Sequence, residues 1–371
     1  MKIDDLSITL FAWNDIPPHS YLGRGPFDPA GKPNQVGELA LVTIRTDEGI
    51  EGHSFLGMGA SIAAQPLLRM LKPIVMGRDP LAREQLYQEM LERRLVVQPW
   101  VVGAVDVALW DLAGKAAGQP IHRLLGTYRE KLPAYASSEQ QPSVEAYVEQ
   151  ALSYQGNGWQ GYKIHPFRVW RDDMEICRSV REAVGDGFPL MLDSTWGYDY
   201  PSALRVGKLI EELDFEWYED PLGDQDIYNY TKLRQQLRIP ILATEFPGAW
   251  YDSFAPWIYN QATDYLRGDV ALKGGITGCL KAAHLAEGFG MNFEIHHGGN
   301  SLNNVAHLHI SAAIRNCEWF EVLLPAGAQK YGLVEDIEVD AEGYVHAPMG
   351  PGLGVEIDFD LIERNKLKEL R

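Results

Sequence analysis

Apolar and polar positions alternate at the start of the chain. IDDLSITLF, followed by ELALVTIRTDEGIEGHSF with the turn signal Asp47-Glu48-Gly49, predicts a meander of antiparallel strands. Between them lies HSYLGRGPFDPAGKPN, rich in Gly and Pro, which reads as a long loop. From Ala63 to about Gly126 the period lengthens. PLLRMLKPIVMG, PLAREQLYQEMLERRL and VDVALWDLAGKAAG place apolar residues at three- and four-residue steps, as helices do, and Gly118-Gln119-Pro120 closes the last of them. The most apolar long segment, Leu95 to Ala113, is interrupted by Gln98, Asp106 and Asp111, so it predicts a buried helix and not a membrane span.

After Lys131 the pattern becomes strand, then helix, repeated. Apolar runs end at Tyr135, Lys163, Asp193, Glu219, Glu245, Asp269, His296 and Glu321, with successive gaps between 24 and 30 residues. Eight strands with crossovers of that size predict a parallel α/β barrel, and regular spacing without a repeated motif argues against a solenoid. The tail DIEVDAEGYVHAPMGPGLGVEID returns to turns and short strands and is expected to pack back on the N-terminal segment. The expected organisation is a capping domain over 1–126, a barrel over 127–325 and a returning segment over 326–371.

Composition narrows the partners. A chain of 371 residues, 46% hydrophobic and 23% charged, suits a barrel with a smaller companion domain and ample core. A formal charge of −18 argues against nucleic acid or an anionic membrane, which are bound through clustered Lys and Arg. Cys177, Cys279 and Cys317 are far apart, in no metal-like spacing, and fit reduced core thiols of a cytoplasmic protein. MKIDDLSITLFAW lacks the basic start and apolar stretch of a signal peptide, so none is expected.

The candidate chemistry starts with three acids. Asp193 in PLMLD, Glu219 in FEWYE and Glu245 in IPILATE lie 26 residues apart in turn, the length of one βα unit. Barrel strand ends converge on one rim, where three carboxylates repel one another unless a positive charge sits between them. A hard divalent ion, magnesium before zinc, suits an all-oxygen set. One such acid alone is more often a helix N-cap or surface residue; the equal spacing of three argues otherwise. Lys163 and His165 are two apart and share a strand face, so they can abstract a proton or hold a substrate carboxylate. The bland alternative is a solvent-reaching Lys and a His satisfied by a backbone carbonyl. Asp269 and the pair His296-His297 end adjacent strands, where a carboxylate can fix an imidazole tautomer and raise its basicity. Glu321 is open to two readings, a protonated hydrogen-bond donor or an ion-pair partner for Lys163.

Together these residues resemble the enolase superfamily in its mandelate racemase subgroup. The resemblance spans essentially the whole chain, with VDVALWDLAGKAAGQPIHRLLG similar to the passage from cap to barrel. It implies a modified (β/α)7β TIM barrel capped by an α+β domain built from both termini. It also implies Asp193, Glu219 and Glu245 as Mg2+ ligands, Asp269 in GDVALKGGITG with His296 as the dyad, and Glu321 as the acid of the last strand. Two cap loops, near His19–Asp28 and Phe55–Ser61, are expected to close over the substrate, with His19, Tyr21, Arg24 and Phe27 gripping a polar anion. One departure stands out: where the subgroup often has Lys-x-Lys, the second position here is His165, which shifts carboxylate binding towards Lys163. The 27-residue step from Asp269 favours His296 as the dyad imidazole, while His297, opening the HHGGN run, stays open.

The implied activity is magnesium-dependent removal of the proton α to a carboxylate through an enediolate, as in dehydration of an acid sugar to a 2-keto-3-deoxy acid. The alternatives are a racemase, epimerase or cycloisomerase, and a barrel that binds metal and sugar acid without turnover. The expected partner is a small sugar acid. A homo-oligomer is expected because such barrels often assemble, although no interface pattern is legible.

Overall fold

Both ends of the chain meet in one antiparallel sheet. In the computed structural model, residues 1–14, 16–17, 37–57, 59–246 and 250–371 are described. The meander forms as β1 (Ile3–Trp13), β2 (Gly37–Thr46) and β3 (Glu51–Leu56), with Ile8 opposite Val42 and Ala40 opposite Leu56. The predicted turn closes where the Gly49 amide donates to the Thr46 carbonyl at 2.9 Å, with Gly49 at φ 80, a conformation glycine adopts freely. Both faces of the sheet are covered, which explains its mixed pattern. Leu6, Ile8, Val42 and Ile44 pack on the cap helices, whereas Phe11, Leu39, Leu41 and Phe55 join the cluster that runs into the barrel.

Helices fill the segment where the sequence period is helical. The apolar stretch becomes the helix Pro99–Ala117, which starts on a proline and stops at Gly118 in the left-handed region, φ 63. Its polar interruptions serve as anchors. Asp111 accepts the His53 and Leu353 amides, each at 2.8 Å, tying the cap sheet to the tail. Asp106 accepts the Thr277 amide at 2.9 Å and the Thr277 hydroxyl at 2.6 Å, docking the cap on the barrel helix Ile276–Gly288. Gly275 permits that approach, since a β-carbon there would lie 2.4 Å from an Asp106 oxygen. Among the described residues no helix is long and apolar enough to cross a membrane.

Eight parallel strands follow in sequence order: β4 (Lys131–Ser137), β5 (Gly161–Ile164), β6 (Leu190–Asp193), β7 (Trp217–Glu219), β8 (Ile241–Ala243), β9 (Tyr265–Gly268), β10 (Asn292–Ile295) and β11 (Phe320–Leu323). β11 pairs with β4, so the sheet curls into a nearly closed barrel whose seam lies between β10 and β11. Every strand end expected from the sequence falls within two residues of the observed one. The tail divides its allegiance. β12 (Tyr344–His346) runs antiparallel to β4 at the barrel, and only β13 (Lys366–Leu370) completes the cap sheet beside β1. The expectation had placed the whole tail on the cap; the Asp340–Gly343 turn instead folds β12 onto the barrel edge.

Inside the barrel, Tyr135, Met191, Trp217 and Leu242 form a separate apolar cluster. Met191 and Trp217 each stand two residues before an acid, on the same strand face. The chemistry therefore rests on an apolar floor.

Candidate active site

A row of charged side chains lies along the C-terminal ends of β5 to β10. Strand alternation puts it there. Lys163 and His165 share one face of β5, and Arg267 and Asp269 share one face of β9. Asp193 and Glu219 terminate β6 and β7 directly opposite one another in register. Glu245 lies two residues beyond β8, after Thr244 at φ 85. A β-branched residue rarely takes that conformation, and here it breaks the alternation so that Glu245 turns towards the row.

Each of the three acids has a cationic neighbour from the chain itself. The Asp193 Oδ2 lies 2.9 Å from His165 Nε2 and 3.5 Å from Lys163 Nζ, while its Oδ1 accepts the Thr195 amide at 2.9 Å. Glu219 receives Lys163 Nζ at 2.9 Å and the Trp217 indole N–H at 3.1 Å on Oε2. Its Oε1 lies 2.6 Å from Arg267 Nε. Glu245 stands 3.6 Å from Arg267 Nε and 3.5 Å from His296 Nε2. Glu321, on β11, holds Lys163 Nζ at 2.6 Å and also pairs with the Arg267 Nη2. Of the two readings of Glu321, these contacts describe the ion pair.

Asp269 meets an imidazole, and that imidazole is His296: Nδ1 to Oδ2 is 2.8 Å. The other Asp269 oxygen accepts the Leu272 amide at 2.6 Å, which fixes the carboxylate. His297 is placed differently. Its ring lies against Phe320, 3.8 Å between centroids, and edge-on to His307. Neither of its ring nitrogens has a hydrogen-bond partner among the described residues. Of the two candidates left open by the sequence, the distances select His296 as the partner of Asp269.

Burial and charge then set the protonation states. Burial raises the Asp193 carboxyl, but His165 and Lys163 outweigh it and hold the group below the usual carboxylate range. Glu321 is buried too, yet Arg267 and Lys163 hold it well below its ordinary value. Burial prevails at Glu245, whose carboxyl is raised despite His296 and Arg267. It also pushes Asp220, next to Glu219, well up, helped by the neighbouring acids. Burial lowers the His296 ring, but Glu245 and the Asp269 hydrogen bond outweigh it and lift the ring to about 9.

The donor set fits a hard cation by chemistry: three carboxylates, oxygen only, converging from adjacent strands. The buried Glu219 Oε1 gives a further sign, because it has no aligned hydrogen-bond donor although Arg267 Nε is 2.6 Å away. The contact is one of charge without hydrogen-bond geometry. Among the described residues no trio of acids or imidazoles is closed into a coordinating arrangement, because Lys163, Arg267 and the two imidazoles share the oxygens.

Three expected substrate contacts, His19, Tyr21 and Arg24, lie outside the described residues, as do Phe27 and Met58. The second expected loop is partly core. Phe55 ends buried in β3 against Phe11, 5.6 Å between centroids, and a helix begins at Ala60. Arg267 is a residue of the row that the strand-end pattern of the sequence does not single out. Its position two before Asp269, on the inward face, was the available signal.

A parallel barrel with this rim of strand-end acids and a cap made from both chain ends defines a class of enzyme-bearing fold, and comparison with known proteins places the chain within it. The pattern described as Mandelate racemase / muconate lactonizing enzyme, N-terminal domain matches residues 19–126, and Enolase C-terminal domain-like matches residues 146–361. The chain belongs to the enolase superfamily, in its mandelate racemase and muconate lactonizing enzyme branch. A D-glucarate dehydratase from Agrobacterium tumefaciens, solved with magnesium, superposes with a TM-score of 0.90 at 33% identity, covering 99% of this chain and 100% of that one. An arabinonate dehydratase of Saccharolobus solfataricus is 28% identical across 89% of this chain and 91% of its own. A D-galactarolactone cycloisomerase of Agrobacterium fabrum is 26% identical across 93% and 95%.

Proposed function

We propose that the chain is a hydro-lyase acting on an aldonic or aldaric acid. It breaks the C–H bond α to the carboxylate and the C–O bond of the β-hydroxyl, releases water and leaves a 2-keto-3-deoxy acid. The observation that carries this reading is the placement of two imidazoles at the two ends of one carboxylate row. His165 stands on Asp193, and His296, held by Asp269, stands on Glu245.

Asp193, Glu219 and Glu245 are the residues that would hold a magnesium ion. When bound, the ion supplies positive charge where the substrate carboxylate gains negative charge as its α-proton leaves. Lys163 adds a fixed charge from the chain itself, buried beside the row. Asp269 accepts Nδ1–H of His296, which leaves Nε2 facing the row, where the ring, lifted to about 9, holds a proton and serves as base only once that proton is lost. One imidazole takes the α-proton, and the other is placed to protonate the departing hydroxyl. His19, Tyr21 and Arg24 are proposed to grip the distal end of the acid. The dehydratase names among the relatives and the magnesium of the glucarate dehydratase support this assignment. The relative that is a cycloisomerase keeps an isomerase as the second reading.

Incubation with a panel of aldonic and aldaric acids in deuterated water, followed by proton NMR, tests it. A 2-keto product is the expected result. Deuterium taken up without loss of water would assign racemase, epimerase or cycloisomerase chemistry instead. No exchange with any acid would reduce the chain to a binding protein.

A further inference from the structure

Two of the three carboxylates that would hold a metal, Glu219 and Glu245, are also held by a guanidinium. Arg267 is fully buried, at 0% exposure, and its one side chain reaches Glu219 at 2.6 Å, Glu245 at 3.6 Å and Glu321 in a shorter contact. Its backbone is fixed as well, since the Arg267 amide donates to the Thr244 hydroxyl at 3.0 Å, beside Glu245. Arginine remains charged at any pH at which a protein folds, so this cation cannot leave by losing a proton.

Charges in the row do not cancel. Asp193, Glu219, Glu245 and Glu321 are four acids facing two permanent cations, Lys163 and Arg267. Without Arg267, Glu219 would keep only Lys163 as a charged partner.

We infer that Arg267 is a positioning residue that competes with the metal: it shares Glu219 and Glu245 with the bound ion, letting the site fold without metal and weakening the hold on metal. The inference rests on the metal reading proposed above. Its logic is linkage. A group that steadies the metal-free state more than the metal-bound state must lower metal affinity by the difference.

The test is Arg267→Gln, with thermal midpoint and magnesium calorimetry measured on the full chain, in chelator and in excess magnesium. In chelator the midpoint should fall by roughly 5–10 °C, because buried acids lose their partner. Magnesium should restore at least half of that fall, and magnesium affinity should tighten by about tenfold. Equal losses with and without magnesium would make Arg267 merely structural and overturn the inference. If Arg267→Gln does not accumulate folded, Arg267→Lys, which keeps the charge but not the fork, should show the same pattern at smaller amplitude; equal losses there overturn it as well. If the unaltered chain shows no magnesium-dependent shift or binding, the metal reading itself fails, and the inference with it. A wild-type shift matched equally by the variant sinks only Arg267.

Discussion

Lys163 and Glu321 meet at 2.6 Å although they come from strands on either side of β4. Neither can be removed alone without leaving a buried charge, because Lys163 also serves Asp193 and Glu219. Lys163→Met should cost about 3–5 kcal/mol of stability. The double variant Lys163→Met/Glu321→Gln should recover part of that loss, since it removes both halves of the pair. Denaturant unfolding of the two single variants and the double variant checks this; strictly additive losses would show the pair to be uncoupled.

His165 and His296 should be separable by stereochemistry. His296→Asn is expected to stop α-proton exchange at one configuration of the α-carbon, and His165→Asn at the other, each with turnover reduced by about 100-fold or more. Exchange of both epimers of a slow substrate, followed by NMR, reads this directly. A variant of His296 with normal exchange would remove it from the mechanism and reopen the case for His297.

Glu219→Gln should lose most activity and most of its magnesium-dependent gain in thermal midpoint. The reason is local: Glu219 accepts from Lys163 and Trp217 and faces Arg267, so an amide there puts an N–H or a neutral oxygen among cations. Full activity of this variant in chelator would overturn the magnesium assignment.

Asp106 gives the fold a pH dependence remote from the chemistry. Burial raises its carboxyl to about 7 from an ordinary 3.8, against hydrogen bonds from Thr277. The folded state therefore binds the proton more tightly than the unfolded chain. The contribution is fully present below pH about 4 and is lost as pH rises through about 7. Asp106→Asn should flatten that slope, so the stability difference between wild type and variant should change by up to roughly 4 kcal/mol between pH 4 and 8. Parallel stability curves for the two proteins would show that Asp106 does not titrate in this range.

Much of this was legible in the sequence because the barrel repeats one physical problem eight times. Each strand needs an apolar run, and each run stops where side chains must turn polar, so Asp193 and Glu219 mark strand ends almost by necessity. Glu245 reaches the row for a reason the sequence conceals: Thr244 at φ 85 turns the chain after β8 has ended. Arg267 was passed over because a cation inside an apolar strand makes sense only once the acids of three other strands are in view. β12 escaped for a similar reason. Its three residues carry too little periodicity to say which sheet they join, and only the pairing of Val345 with Leu132 reveals it.

Trp217 offers an unlabelled view of the row. Its indole is 1% exposed and gives its only N–H to Glu219, so its emission answers to changes of charge around that acid and is shielded from solvent quenchers. Against the other nine tryptophans of the chain, a Trp217→Phe difference spectrum would isolate its signal and report, in real time, when a charge arrives at or departs from its neighbour.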